Sequence, residues 1–263
     1  MTGDVIRQLS TGTAEPVLVA DFQAATMAPR LSTMLSACAS DRPVYQVDPV
    51  GALSGERLYI PIGELAAACA GDFLSSGPTA GRVFIVGHCS ASALSLRIAG
   101  LLARSRPVSV VLVQPTWPDD EHVRDRFAEF RASLGGGTDE RPDLCGAPDM
   151  AVGRMEQALH EQLLAVAQSK GVGASAEVFG ELIRWYRAWL AFLLACSLDL
   201  GSGAGDWAGA ATDITALTDP DGTAVVPGRS AGGYQVIQLP LLDREPALSP
   251  ELAEFLLGRL ASS

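Results

Sequence analysis

The segment Val83–Ala99, VFIVGHCSASALSLRIA, carries the residues of this chain best suited to covalent chemistry. It reads as a buried strand that turns through Gly87-His88-Cys89-Ser90-Ala91 straight into a small-residue helix. A nucleophile raised on such an elbow needs a small residue two places before it and two after, because the turn leaves no room for larger side chains. Gly87 and Ala91 fill those places and put Cys89 at the apex. A thiol suits that place, since the helix dipole and the free amides of a first helical turn favour a thiolate. The plain packing alternative is a buried cysteine behind a tight turn; strand, turn and helix taken together favour the chemical reading.

The elements that must hold this elbow follow from hydrophobic patterning. Pro16–Asp21 (PVLVAD), Arg42–Asp48 (RPVYQVD), Arg82–Val86 (RVFIV) and Val108–Val113 (VSVVLV) are strand signals, and the last two show no polar alternation. Helical spacing separates them over Ala28–Ala39, Ile62–Leu74 and Ser90–Arg104. Continuous apolar strands alternating with helices imply βαβ units and a parallel sheet covered on both faces. The middle of the chain differs: Asp120–Leu134, Met150–Ser169 and Ala176–Leu198 read as helices without an intervening strand. A glycine-rich stretch, Gly201–Gly209, has the composition of a flexible linker. Strand signals return at Asp213–Leu217 and Tyr234–Leu239, and a closing helix is expected over Pro250–Leu260. The expectation is one α/β domain over 1–263, with a helical lid inserted at about 118–205.

Composition narrows the function. The 263 residues are 48% hydrophobic, enough for a packed core. Nineteen basic residues, of which only Lys170 is a lysine, stand against thirty acidic ones, and the net charge of -11 argues against nucleic acid or an anionic membrane as the main partner. The opening MTGDVIRQLSTGTAEP has no apolar core of a secretory signal, and no apolar run has the length of a membrane span. Five scattered cysteines without a CxxC spacing fit a reducing cytoplasm and argue against a disulfide framework or a zinc site, so no metal is expected.

In their order, these segments resemble the thioesterase branch of the α/β-hydrolases, and most closely the stand-alone type II thioesterases of polyketide, nonribosomal peptide or thiopeptide pathways. PVLVADFQAAT is similar to that family's first strand and oxyanion loop, VFIVGHCSASALSLRIAGLLA to its G-H-S-x-G elbow, and VVLVQP to the next strand. RASLGGGTDE and LIRWYRAW are similar to lid helices, and DITALTDPDG to the strand and turn bearing the catalytic acid. The resemblance implies an α/β-hydrolase fold: a mostly parallel sheet, helices on both faces, and a helical lid. It also implies catalytic roles for Cys89 and Asp221, with Asp219 beside the latter, and an oxyanion hole at Gln23, Ala24 and Ser90. Trp185, Tyr186 and Trp189 of the lid would line an acyl pocket, although aromatics at helical spacing are as often core.

Two departures from the family decide the chemistry. Cysteine replaces the usual serine, and the segment YQVIQLPLLDREPALSPELAEF, where the family places its catalytic histidine, contains none; Asp243 falls near that place. The three histidines are His88 in the elbow, expected to point away from the pocket, and His122 and His160 in the lid, with His160 the candidate displaced base. A thiolate attacks an acyl thioester without a base, whereas resolving the acyl-enzyme with water needs one; the missing histidine should slow hydrolysis by about 10²–10⁴-fold and cost a thiol acceptor less. The expectation is therefore an acyltransferase. It would take an acyl group from the phosphopantetheine thioester of a carrier protein onto Cys89 and pass it to a peptide or a second carrier, with no bound cofactor of its own. Asp221 or Asp243 would orient or polarise. Two alternatives stand beside it: a non-catalytic docking module for carrier proteins, and an editing thioesterase with a displaced histidine.

Overall fold

A computed structural model describes residues 5–22, 30–39, 41–78, 80–169, 176–202 (backbone alone at 176–179), 207–211, 213–239 and 249–261. Gln23, Ala24 and Asp243 lie outside these residues. The chain divides into two compact units, one built on residues 2–49, 62–117 and 203–263, the other on 50–61 and 118–202.

The first unit is a seven-stranded sheet in the order β1-β3-β2-β4-β5-β6-β7. The strands are β1 (Ile6–Gln8), β2 (Val17–Ala20), β3 (Val44–Val47), β4 (Val83–His88), β5 (Val108–Val113), β6 (Asp213–Thr218) and β7 (Gln235–Gln238). Every pairing is parallel except that of β1 with β3. Strands β4 and β5 are buried along their whole length, which is why they read as unbroken apolar runs. Helices α1 (Leu31–Cys38) and α8 (Pro250–Ala261) share one core cluster with Val19, Val86, Val111 and Val113. Helices α3 (Ile62–Ser76) and α4 (Ala91–Leu102) pack on each other, and α4 packs on β4 and β5. Ser249 caps α8 by accepting the Leu252 N–H at 3.2 Å.

Two short elements were not expected from the sequence. Strand β1 is three residues long, with Arg7 and Gln8 exposed, and it is held as an antiparallel edge by pairing that no local pattern announces. Helix α2 (Val50–Leu53) is a single turn, too short for a period to show. The glycine-rich stretch also differs from a free linker over its described end. Trp207 is 2% exposed, with the Arg97 guanidinium 5.2 Å from its ring centre and Trp117 edge-on at 5.9 Å. Gly100 permits that packing, because a Cβ there would meet the Trp207 carbonyl oxygen at 2.5 Å.

The second unit is helical: α2, α5 (Asp120–Ser133), α6 (Pro148–Ser169) and α7 (Ala176–Gly201). Helix α5 shows how the sequence sets its ends. Asp119 accepts the His122 N–H at 2.8 Å, Asp120 and Glu121 occupy the first turn, and Gly135 follows the last turn at φ +81°. The half-buried arginines of α5 are matched within the unit, Arg124 to Asp120 and Glu121, Arg126 to Glu129, and Arg131 to Glu140.

Candidate active site

The C-terminal edge of the parallel strands is where the sheet unit concentrates strain. Cys89 at φ +53° and Gln114 at φ +46° are the only non-glycine residues with left-handed backbone among the described residues, and they end the adjacent strands β4 and β5. A left-handed conformation costs an L-residue roughly 1–2 kcal/mol, and such strain collects at functional sites. The surrounding backbone holds it in place. The Cys89 N–H donates to the Val113 carbonyl at 3.0 Å, and the Cys89 carbonyl accepts from the Ser92 and Thr116 N–H groups at 3.0 and 3.3 Å. Gly87 is required by space: a Cβ there would lie 2.5 Å from Ser95 Oγ, 2.8 Å from Ser95 Cβ and 3.0 Å from Ser92 Cα. Ala91, two residues beyond the cysteine, is fully buried.

Cys89 is partly exposed. Its sulfur lies 3.5 Å from Thr116 Oγ1 and 4.0 Å from Ser90 Oγ. The Ser90 N–H makes no hydrogen bond among the described residues, which leaves a donor at the start of α4 next to the thiol. Of the other cysteines, Cys69 is buried and its thiol is pushed up to about 12 by burial, with Asp72 adding to the effect. Cys196 is buried and raised for the same reason, while Cys38 and Cys145 are exposed. Among the described residues no group of three or more histidine, cysteine or carboxylate side chains is arranged to hold a metal ion.

The acidic turn follows β6. Asp219 and Asp221 are both exposed, and Asp219 accepts from Gln114 Nε2 at 3.4 and 3.5 Å through its two oxygens. Asp221 has no hydrogen-bond or ion-pair partner among the described residues. The side chain of Gln114 also hydrogen-bonds His88, which is 7% exposed. Burial lowers the His88 imidazole below its ordinary value, and the nearby Asp21 carboxylate and Gln114 oppose that shift only in part. Asp21, itself 2% exposed, is held by the Ser32 N–H at 2.7 Å. His88 is thus engaged inside the sheet unit with Asp21 and Gln114. Sequence reasoning did not single out Thr116, Gln114 or Asp21; the one signal for the first two was their place directly after an apolar strand.

The remaining candidates lie in the helical unit. Tyr186 is buried, stacked on Phe130 with ring centres 4.0 Å apart, and its hydroxyl is 3.1 Å from Ser133 Oγ. Trp189 is buried against Phe192, and Trp185 is partly exposed. His160 is exposed in a groove of about 800 Å³ that Glu156, Glu181 and Arg184 also line. Burial and Arg126 lower His122, whose own backbone N–H is taken by the α5 cap.

No family model matches this chain, and no curated protein does. Solved structures do. The Vlm2 thioesterase domain, solved with a bound dodecadepsipeptide, is 13% identical with a TM-score of 0.53 over 97% of both chains. The NocB thioesterase domain, solved as a covalent complex with a nocardicin G analogue, is 15% identical with a TM-score of 0.51 over 96% of this chain and 99% of that one. An alpha/beta hydrolase family protein from Desulfitobacterium hafniense is 14% identical with a TM-score of 0.55 over 97% of this chain and 99% of that one. With a mostly parallel sheet and a cysteine elbow between β4 and α4, this chain has the α/β-hydrolase fold.

Proposed function

We propose that the protein is an acyltransferase that takes an acyl group from the phosphopantetheine thioester of a carrier protein and passes it to an acceptor thiol. The observation that carries this reading is Cys89, a thiol on a strained elbow beside the unused Ser90 N–H, in a chain whose three histidines offer this sulfur no partner among the described residues. Thioesterase domains with the same fold add support. The Cys89 thiolate attacks the thioester carbonyl, and the Ser90 N–H stabilises the oxyanion. The bond from the carbonyl carbon to the donor sulfur breaks, its electron pair leaves on that sulfur, and a proton from water completes the carrier thiol. An acceptor thiolate then attacks the S-acyl-Cys89 and releases the Cys89 thiolate. Thioester is exchanged for thioester in both steps, so neither needs a strong base. Asp219, Asp221 or Asp243 would orient or polarise rather than deprotonate. The helical unit would serve as the lid, with Trp185 its part-exposed aromatic.

Intact-protein mass spectrometry after mixing with an acyl-carrier thioester tests this. An adduct on the parent, absent from Cys89→Ala and discharged faster by an added thiol than by buffer, is the expected result. Turnover that persists in Cys89→Ala would overturn the covalent step, and carrier binding without any adduct would identify a docking protein instead. Discharge by water that collapses in His160→Gln or His122→Gln alone would identify an editing thioesterase.

A further inference from the structure

We infer that Thr116 is a second catalytic residue at this site, its hydroxyl donating a hydrogen bond to the Cys89 thiolate. The inference rests on Cys89 acting as the nucleophile proposed above, and it names the group that stabilises the ionised sulfur, which has no imidazole partner among the described residues. Both hydrogen-bond donors of Thr116 go to the same residue: its N–H to the Cys89 carbonyl at 3.3 Å, its hydroxyl to within 3.5 Å of Sγ. That Oγ1 has no other partner among the described residues. The other hydroxyl nearby, Ser90 Oγ, is at 4.0 Å, the outer limit for sulfur. The chain spends conformational strain to put Thr116 there. Gln114 is left-handed at φ +46° although it precedes Pro115, a place that favours extended backbone. The reversal at Gln114 brings Thr116 back across the end of β4 onto the elbow. A packing role alone would not need the side-chain oxygen on the sulfur.

Thr116 gives a hydrogen bond and keeps its proton throughout. In the first step it holds the attacking sulfur in its ionised form; in the second it stabilises the same sulfur as it leaves the acyl group. A hydrogen bond favours the charged sulfur over the thiol and at the same time blunts its nucleophilicity. Removing the hydroxyl should therefore slow reaction at neutral pH by about threefold and speed it by about threefold at alkaline pH, where every thiol is ionised. That crossing separates a hydrogen bond from mere positioning, which would move both limbs the same way.

The test is the alkylation rate of Cys89 by iodoacetamide, followed on its own peptide by mass spectrometry from mildly acidic to alkaline pH. Thr116→Val is expected to cross the parent profile, and Thr116→Ser to restore it. Thr116→Ala against Thr116→Ser repeats the comparison with one hydroxyl as the only difference, so a poorly folded valine variant does not decide the matter. Profiles that superimpose, or that fall together on both limbs, would overturn the role of Thr116. Because alkylation needs no acyl donor, a crossing profile in a protein that carrier thioesters fail to acylate would refute the proposed acyl transfer and leave the hydrogen bond standing.

Discussion

Replacing Gly87 with alanine tests whether the elbow is set by space rather than by preference. Gly87 lies in β4 with its neighbours Ala20 on β2 and Leu112 on β5 in register, so the strand cannot retreat without disturbing two others. The new methyl would meet Ser95 Oγ at 2.5 Å, Ser95 Cβ at 2.8 Å and Ser92 Cα at 3.0 Å. The hydroxyl can rotate away, at the loss of its 3.0 Å hydrogen bond to the Ala91 carbonyl, but the two carbon contacts can be relieved only if α4 moves. Overpacking of this kind costs about 1–3 kcal/mol, and a glycine at 95 in a helix interior costs about 1 kcal/mol by itself. The double variant Gly87→Ala/Ser95→Gly removes two of the three close contacts. It should therefore be more stable than the sum of the single changes by about 1–2 kcal/mol. Urea denaturation of the four proteins completes the cycle, and Cys89 alkylation reports whether the sulfur has shifted with the helix. A Gly87→Ala protein within about 0.5 kcal/mol of the parent, or an additive double variant, would refute the steric argument.

The buried histidine gives a pH signature. Burial lowers His88 in the folded protein, so its contribution to stability is fully present above the ordinary histidine value of 6.5 and is lost as pH falls through the folded value. His88→Gln should flatten the acid side of the stability profile, with a remainder from His122, which is lowered as well; unchanged slopes in thermal melts would sink this account. Labelling of the native protein with a maleimide should reach Cys38 and Cys89 quickly, Cys145 more slowly because its hydrogen bond with Asp143 raises the thiol, and leave Cys69 and Cys196 until unfolding, since burial raises both and removes access. Early modification of Cys69 would show that α3 opens locally. Cys89→Ser should form no acyl adduct, because a hydroxyl needs an acceptor for its proton that this sulfur's surroundings do not offer; a stable acyl-serine would reveal an acceptor among the residues not described.

What could be read from the sequence follows the range of each signal. Strands β4 and β5 announced themselves because burial on both faces writes an unbroken apolar run, and the elbow because its two flanking positions tolerate only small side chains. Strand β1 and helix α2 left no trace, as three or four residues cannot carry a period. Trp207 was hidden in a stretch whose glycines suggest a linker; one of them, Gly209 at φ +55°, instead turns the chain where it crosses Gly100. Thr116 was invisible for a different reason. It meets Cys89 across the ends of two parallel strands, 27 residues apart, through a backbone reversal that nothing in Gln114-Pro115 predicts. The contact of Gln114 with Asp219 at the acidic turn was equally hidden, the family resemblance having pointed to Asp221 with Asp219 beside it.

The partners of the sulfur suggest why a thiol stands at this elbow. A serine nucleophile must give up its proton as it attacks, so its site needs an acceptor in contact with the oxygen. Among the described residues the hydrogen-bonding partners of Cys89 Sγ are two hydroxyls, and the next residue in the chain, Ser90, carries a backbone N–H without a partner there. Hydroxyls and amides can serve an anion that is already formed, but they are too weakly basic to create one from an alcohol. The imidazole one residue away is committed elsewhere: His88 is buried, kept neutral by that burial, and tied to Gln114. A site built this way gains from a nucleophile that ionises in water by itself, and among the side chains that form acyl intermediates cysteine does so most readily near neutral pH. The same lack of an acceptor bears on the second half of the reaction. Among the described residues no hydrogen-bond partner of Cys89 Sγ could take the proton of a water arriving at an acyl-Cys89, whereas a thiol can arrive as thiolate. In this account the discrimination between transfer and hydrolysis lies in the hydrogen-bonding character of the elbow, before any pocket for the acyl group is considered.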